Sequence, residues 1–281
     1  MQIGLVLNRA KPGIPEAVEK LGIIADRVGC FLLLTQRDAE RIPAGRGIQV
    51  CDERSFFDRS ELLLAVGGDG TVLKAARYSL RRNVPVAGIN LGRLGFLSTL
   101  KKGEENRLEE LLRGDFIIQK RHLICAQKEG GPVYTAFNEL CFQRETADKL
   151  PEFSVAADGC DLGGFRADGL IFATPTGSTA YSLAAGGPIA APDVRCMILT
   201  PICPFNERRQ SIIFSEESSI ALAAHIKPGS HCTMMADGRN PIPVENGEIW
   251  NIRMSDQEVR LVQMYDSRFF RTCANKIWGD A

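Results

Sequence analysis

Apolar runs divide this 281-residue chain into two textures, and that division limits its fold more than any other feature. In the first part "IGLVLN" (3–8), "CFLLLT" (30–35), Ser60–Val66 and "VPVAGIN" (84–90) alternate with helical patterns, one of them near Pro15–Val28. Short apolar runs separated by helices predict a parallel sheet with crossover helices. After Gly70 the period changes. Val72, Leu73, Ala76 and Leu80 share one helical face, with Thr71 as the expected N-cap. The polar helix "GEENRLEELLRG" closes this part, with Gly114 where a helix C-terminus favours glycine. From about Phe116 the runs "FIIQKRHLICAQ", "VYTAFNELCFQ", "FSVAADGCDLGGF" and "GLIFATP" follow one another without helices, which predicts mainly antiparallel β structure. "TGSTAYSLAAGG" (176–187) is the exception, a short helix ended by glycines. The tail "SRFFRTCANKIWGDA" is expected to be helical, and its Phe269, Phe270 and Trp278 need a surface to cover.

Composition narrows the function classes. Hydrophobic residues make up 44% and charged residues 24%, as in soluble globular proteins. Lys plus Arg and Asp plus Glu balance at 34 each, so no global field draws nucleic acid or an anionic membrane; an anionic ligand must be held by local groups. Nine cysteines without a CxxC pair suit neither a disulfide framework nor a zinc site, and are expected reduced in a cytoplasmic protein. The N-terminal apolar run is too short for a signal peptide, and no stretch approaches the ~18 apolar residues of a membrane span. His122, His225 and His231 have no partner nucleophile or ligand in the pattern.

The segment "LLLAVGGDGTVLKAARYS" (62–79) brings Gly67 and Gly68 from a strand end to a helix start. Bare backbone at a helix N-terminus binds anions. Neither GxxxxGK[ST] nor a complete GxGxxG is present, and the double glycine by itself equally suits an ordinary turn. Asp69 changes the reading. A carboxylate repels phosphate unless it accepts a proton from a hydroxyl attacking phosphorus or reaches Mg²⁺. The plain alternative is that Asp69 caps the following helix through the N–H groups near Val72.

Two further segments carry chemistry. "FNEL" sets Asn138 beside Glu139; adjacent strand residues face opposite sides, so both reach one ligand only at a strand end or bulge. "RADGLIFATPTGSTAYSLAAGGPI" (166–189) crowds six hydroxyls, Thr174, Thr176, Ser178, Thr179, Tyr181 and Ser182, into nine positions near Arg166 and Asp168. Helix capping accounts for one or two of them.

With these segments the chain resembles the NAD kinases, which phosphorylate NAD to NADP with ATP. The resemblance rests on "GGDGT" (67–71), "GINLGRLGFL" (88–97), "NE" (138–139), "DGLIFATPTGSTAYSLAAGGPI" (168–189), "LTPICP" (199–204), "DG" (237–238) and "FF" (269–270). GGDGT is shared with diacylglycerol, sphingosine and phosphofructo-kinases; TPTGSTAYS is far more specific. The resemblance implies an α/β domain at 1–115, joined by the tail 262–281, and a dinucleotide-binding β-sandwich at 116–261, with the active site between them. It implies that Asp69 is the general base toward the 2′-hydroxyl of the adenosine ribose, with Gly67, Gly68, Gly70 and Thr71 along the ATP phosphates and Mg²⁺ accompanying ATP. It matches Asp69, Gly70, Asn138, Glu139, Arg166, Asp168, Thr176, Thr179, Ala180, Tyr181, Ser182, Leu183 and Ala184 to dinucleotide contacts, with Lys74 and Lys149 at weaker contact positions. It further implies a homodimer or homotetramer, with polyphosphate as an alternative donor.

The chain also departs from the family pattern. Phe205 stands where His or Asn is usual, Gln210 where an Arg is usual, and Arg239 follows "DG". Arg208 or Arg209 could replace the missing Arg only through a loop shift, and Arg239 is expected to be exposed. Two other readings remain open at this stage. A GGDGT-type lipid kinase leaves TPTGSTAYS unexplained, and a non-catalytic NAD-binding sensor leaves Asp69 without a task.

Overall fold

The computed structural model describes residues 1–279 apart from 93–94, 102–103, 146–148, 206–209 and 265–268, with residues 105–106 described by backbone alone. Contacts within the chain define two compact units, Met1–Lys120 with Val259–Ala281, and Arg121–Glu258.

The first unit runs β1 (Gln2–Leu7), α1 (Ile14–Val28), β2 (Phe31–Thr35), α2 (Gln36–Ala39), β3 (Ile48–Cys51), α3 (Glu53–Arg59), β4 (Leu62–Gly67), α4 (Asp69–Ser79), β5 (Val86–Asn90), β6 (Leu100–Lys101) and α5 (Glu105–Arg113). The sheet is parallel, in the order β3-β2-β1-β4-β5, with β6 on β5. All six residues of β4 are buried, as expected for a strand with both faces covered. The chain leaves β1 toward β2 and β3, then resumes on the other side of β1 as β4. This reversal is a topological switch point, and α/β sheets bind ligands outside the carboxyl ends of the strands that flank such a point. Here those ends are Asn8 and the Gly67–Gly68 pair.

In the second unit, β7 (Ile117–Lys128, its first residues in the first unit) pairs antiparallel with β8 (Val133–Ala136). Then come β9 (Glu139–Arg144), β10 (Glu152–Ala157), β11 (Cys160–Arg166), β12 (Gly169–Ala173), α6 (Tyr181–Ala184), β13 (Cys196–Ile202), β14 (Ile212–Ser215), β15 (Ile220–His225), β16 (Cys232–Ala236), β17 (Arg239–Val244) and β18 (Ile249–Gln263). One antiparallel sheet has the order β14-β13-β12-β9-β16-β17; a second layer is β11-β10-β15-β18. Strand alternation explains the core. Leu140, Phe142, Leu170 and Phe172 face Phe153, Val155, Leu222 and Trp250 in one cluster, while Cys141, Ile171 and Ile198 point to the other side of their sheet. The Trp250 and Phe142 rings meet edge-on at 5.6 Å. Beyond β18, α7 (Phe269–Cys273) continues into a π-helical turn, Ala274–Trp278, rather than a plain α-helix.

Local details correct two expectations. The helix expected from Thr71 starts at Asp69, with Gly68 as the N-cap. Glycine brings no side chain to cap with, and Thr71, two residues further into the helix, turns its Oγ1 back to accept the Gly68 N–H at 3.4 Å. The short helix expected at 176–187 is broken into a 3-10 turn, Gly177–Thr179, and one turn of α6, because Ala180 between them is non-helical (φ −104°, ψ −128°).

Candidate active site

At the switch point an open cleft of about 460 Å³ is lined by Asn8, Arg9, Gly68, Gly70, Thr71 and Lys74, with Leu7 and Ala10. A Cβ on Gly68 or Gly70 would meet nothing within 4 Å, so the backbone is bare toward open space there; a Cβ on Gly67 would lie 2.3 Å from Thr71 Oγ1. The first N–H groups of α4 have no intrahelical acceptor by helix geometry. Three cations stand near. Lys74 lines the cleft, Arg9 lines it while paired with Asp38, and Lys11 Nζ donates to the Gly67 carbonyl at 3.2 Å. Asn8, Arg9 and Lys11 escaped the sequence reading because nothing in "NRAK" signals them. The parallel pairing of β1 with β4 brings them to the glycines.

Asp69 does not cap α4. Its Oδ2 accepts the Phe96 N–H at 2.8 Å, and its Oδ1 accepts the Leu97 N–H at 3.3 Å and the Ser98 hydroxyl at 3.4 Å. The carboxylate thus lies against the 95–98 loop, so closely that a Cβ on Gly95 would be 1.8 Å from Oδ1. Only glycine allows that approach. Thr99 anchors the loop by donating to the Val262 carbonyl at 2.9 Å and accepting the Gly88 N–H at 3.0 Å.

In the second unit three distant segments converge. Asn138 lies immediately before β9 and Glu139 begins it, the strand-end position that lets neighbours reach one ligand. Asp237 accepts the N–H groups of Phe137 (3.2 Å) and Asn138 (2.7 Å), while its own N–H donates to the Glu139 carbonyl at 3.0 Å. Thr174 donates to the Phe137 carbonyl at 2.8 Å, and a Cβ on Gly177 would fall 2.0 Å from the Asn138 carbonyl oxygen. Glu139 is only 7% exposed, and its Oε2 has no hydrogen-bond partner among the described residues. Burial, then the charge of Asp237, push its carboxyl up to about 7, against the Tyr181 N–H, which favours the ionised form. The sequence marks Asp237 only as part of "DG"; its role as the brace of Asn138 depends on β16 pairing with β9.

The crowded hydroxyls divide by burial. Ser178 donates to the Pro175 carbonyl at 2.7 Å and accepts the Ala190 N–H at 3.0 Å, while Ser182 bonds Thr200 Oγ1 at 2.9 Å; both are fully buried. With Thr174 they hold the loop's own shape, and Thr179 bonds back to the Thr176 carbonyl at 3.4 Å. Thr176 accepts from the buried Arg121 guanidinium at 3.3 Å. Burial lowers the Arg121 pKa to about 10, opposed by the Asp193 charge. Ala180 and Leu183 are half-buried, while Tyr181 and Ala184 are exposed. Asp168 pairs with Arg144 at 2.7 Å, and Arg166 lies over the exposed Phe205 ring at 5.0 Å. Arg239 is exposed, as expected, and so is Lys149, which no described contact ties to either cluster. Arg208 and Arg209 lie outside the described residues.

Among the described residues, no helix is long and apolar enough to cross a membrane, and no group of three or more His, Cys, Asp or Glu side chains forms a metal cage.

Comparison with known proteins agrees with this arrangement. Residues 35–116 match the family model of the ATP-NAD kinase N-terminal domain, and residues 137–264 that of the ATP-NAD kinase C-terminal domain. The NAD kinase of Symbiobacterium thermophilum is 32% identical over 280 residues, spanning 98% of each chain. That of Pseudomonas aeruginosa is 34% identical over 284 residues, with 99% of this chain and 96% of the relative covered. Among solved structures, yeast NADH kinase complexed with NADH superposes with a TM-score of 0.81 at 24% identity, covering 100% of this chain and 88% of the other. An Archaeoglobus fulgidus NAD kinase in complex with ATP gives 0.76 at 24% identity, with both chains fully covered. The two domain matches, in order and over most of the sequence, together with relatives above 30% identity along nearly the whole length, show that this chain belongs to the NAD kinase family.

Proposed function

We propose that this enzyme transfers the γ-phosphate of ATP to the 2′-hydroxyl of the adenosine ribose of NAD, forming NADP. The observation that carries the reading is a carboxylate, Asp69, held in fixed geometry beside bare glycine backbone at the switch point of a parallel sheet. Phosphoryl transfer asks a protein mainly for positioning and charge compensation. Asp69 accepts the proton of the attacking hydroxyl. The backbone of Gly67, Gly68, Gly70 and Thr71 lies along the phosphates, with Lys74 and Arg9 offsetting their charge. Asn138, Glu139, Arg166, Asp168, Thr176, Thr179, Ala180, Tyr181, Leu183 and Ala184 hold the dinucleotide, with Ser182 contributing through its backbone because its hydroxyl is internal. Lys149 supplies at most an outer electrostatic contact.

Mg²⁺ accompanying ATP would supply charge neutralisation for the transferring phosphoryl group, and Gly68, Gly70, Thr71 and Lys74 line the cleft that would receive it with the nucleotide. Such an ion keeps several waters and phosphate oxygens beside few protein carboxylates, and Asp69, whose two oxygens already accept hydrogen bonds from Phe96, Leu97 and Ser98, is kept for the proton. The protein works in the cytoplasm as a homodimer or homotetramer, which light scattering measures.

The test is NADP formation from NAD, Mg²⁺ and ATP, with polyphosphate in parallel and Asp69→Asn as control. The variant should lose at least ~10²-fold in kcat while keeping nucleotide affinity. A wild type that binds NAD yet forms no NADP from either donor would leave a sensor of the same fold; turnover of a lipid alcohol instead would leave a lipid kinase.

A further inference from the structure

We propose that the C-terminal tail is a positioning element for the base, with Phe269 and Lys276 clamping the loop residue whose N–H holds Asp69. This inference rests on the reading of Asp69 as the base, and deepens it.

The chain of contacts lies wholly within the first unit. The Phe269 ring packs against the Phe96 ring with centroids 6.3 Å apart and planes inclined at 53°. Lys276 Nζ stands 5.2 Å from the centroid of the same Phe96 ring. Phe96 donates the shortest of the three hydrogen bonds to the Asp69 carboxylate, and Leu97 and Ser98 supply the others. The far side of the loop is tied by Thr99 to Val262, on the strand that leads into the tail. The loop is thus gripped twice by the same C-terminal segment, through its side chain at Phe96 and its hydroxyl at Thr99.

The physical argument is one of precision. A base must reach its proton donor within hydrogen-bond distance, and a displacement of about 1 Å at a distance from the chemistry can cost ~10²-fold. Asp69 sits at the first residue of α4, where its side chain has nothing in its own helix to fix it. The 95–98 loop is what fixes it, and Gly95 brings that loop so near that no slack remains. Most of the tail's aromatic surface is not spent on a core. Phe270 and Trp278 are exposed, and Phe269 is only half-buried. What the tail buries is Thr272 and Cys273, not these rings. The half-buried Phe269 ring packs on Phe96, the residue whose N–H holds Asp69.

The experiment uses the full chain. Phe269→Ala should lower kcat about tenfold with KM for NAD and ATP changed less than about twofold, because the loosened loop misplaces the base without altering ligand contacts. Phe269→Leu, which keeps an apolar side chain on Phe96, should recover most of kcat. Phe270→Ala, which removes the neighbouring ring (5.2 Å from Phe269) but leaves Phe96 covered, should retain near-wild-type kcat. Lys276→Met should give a smaller kcat loss of about two- to fivefold, in keeping with an exposed cation–π contact. Melting temperatures are recorded for all four variants. An unchanged kcat in Phe269→Ala overturns the proposal. So does a loss residing wholly in KM, or an equal loss in Phe270→Ala, either of which makes the tail merely structural. A wild type without NAD kinase turnover refutes instead the reading on which the proposal rests.

Discussion

Replacing Glu139 by glutamine tests the electrostatics of the cluster of Asn138, Glu139 and Asp237 in the absence of any ligand. The carboxyl is buried, carries an unpartnered Oε2 and faces the charge of Asp237, so its pKa stands at about 7 instead of 4.5. Each pKa unit corresponds to about 1.4 kcal/mol. A carboxyl with a raised native pKa binds more protons folded than unfolded between pH 4.5 and about 7, and stability falls as pH rises through that window. The full effect is about 3 kcal/mol, of which roughly 2.5 kcal/mol lies between pH 5 and pH 8.5. Glutamine has nearly the same shape and no charge. Glu139→Gln should therefore gain on wild type by about 2–3 kcal/mol on going from pH 5 to pH 8.5. Urea midpoints at several pH values with a common m-value measure this, and the change in the difference matters rather than its value at one pH. A wild-type minus variant difference that stays flat within about 0.5 kcal/mol across the window would refute the reasoning. Asp237→Asn in the wild-type background should remove part of the slope, since burial is the first cause and Asp237 the second. Binding should trend the other way. On the proposed reading a ribose hydroxyl of NAD would donate to the ionised carboxylate, so affinity for NAD should strengthen as pH rises through about 7, and Glu139→Gln should abolish that rise.

Two further substitutions probe close backbone approaches. Gly95→Ala puts a methyl 1.8 Å from Asp69 Oδ1, so either the loop or the Asp69 carboxylate must move; if Asp69 is the base as proposed, kcat should fall by at least ~10²-fold in the NADP assay with the fold retained by circular dichroism. Gly177→Ala places a methyl 2.0 Å from the Asn138 carbonyl oxygen, backbone against backbone. It should destabilise the protein by about 1–3 kcal/mol in denaturant unfolding and raise KM for NAD, because the strand end carrying Asn138 and Glu139 is displaced.

By itself the sequence determined the class of each part of this protein. Apolar runs alternating with helical periods can be satisfied only by a parallel sheet with crossovers, and the later runs only by antiparallel layers. Both inferences depend on periodicity and turn residues within short windows. Gly114 at the end of α5 and the strand-end position of Asn138 and Glu139 were legible for the same local reason. The loop around Asp69 and the TPTGSTAYS segment were legible as chemistry, because residue types that conflict with a plain turn or helix stand out at short range.

Tertiary structure decided what each of those residues touches. Asp69 was expected either to cap its own helix or to serve a ligand, and the partner of its carboxylate lies 27 to 29 residues away in a loop with no signal of its own. Asp237 braces Asn138 across 99 residues, and the fully buried hydroxyls of Ser178 and Ser182 shape the loop. The start of α4 at Asp69 rather than Thr71 also escaped the local rules, since a glycine N-cap carries no side chain to announce it. Periodicity says which face of a strand or helix is buried. It says nothing of which distant segment meets that face, because register and strand order come from the packing of the whole unit, where every close approach is settled by the neighbour that fits.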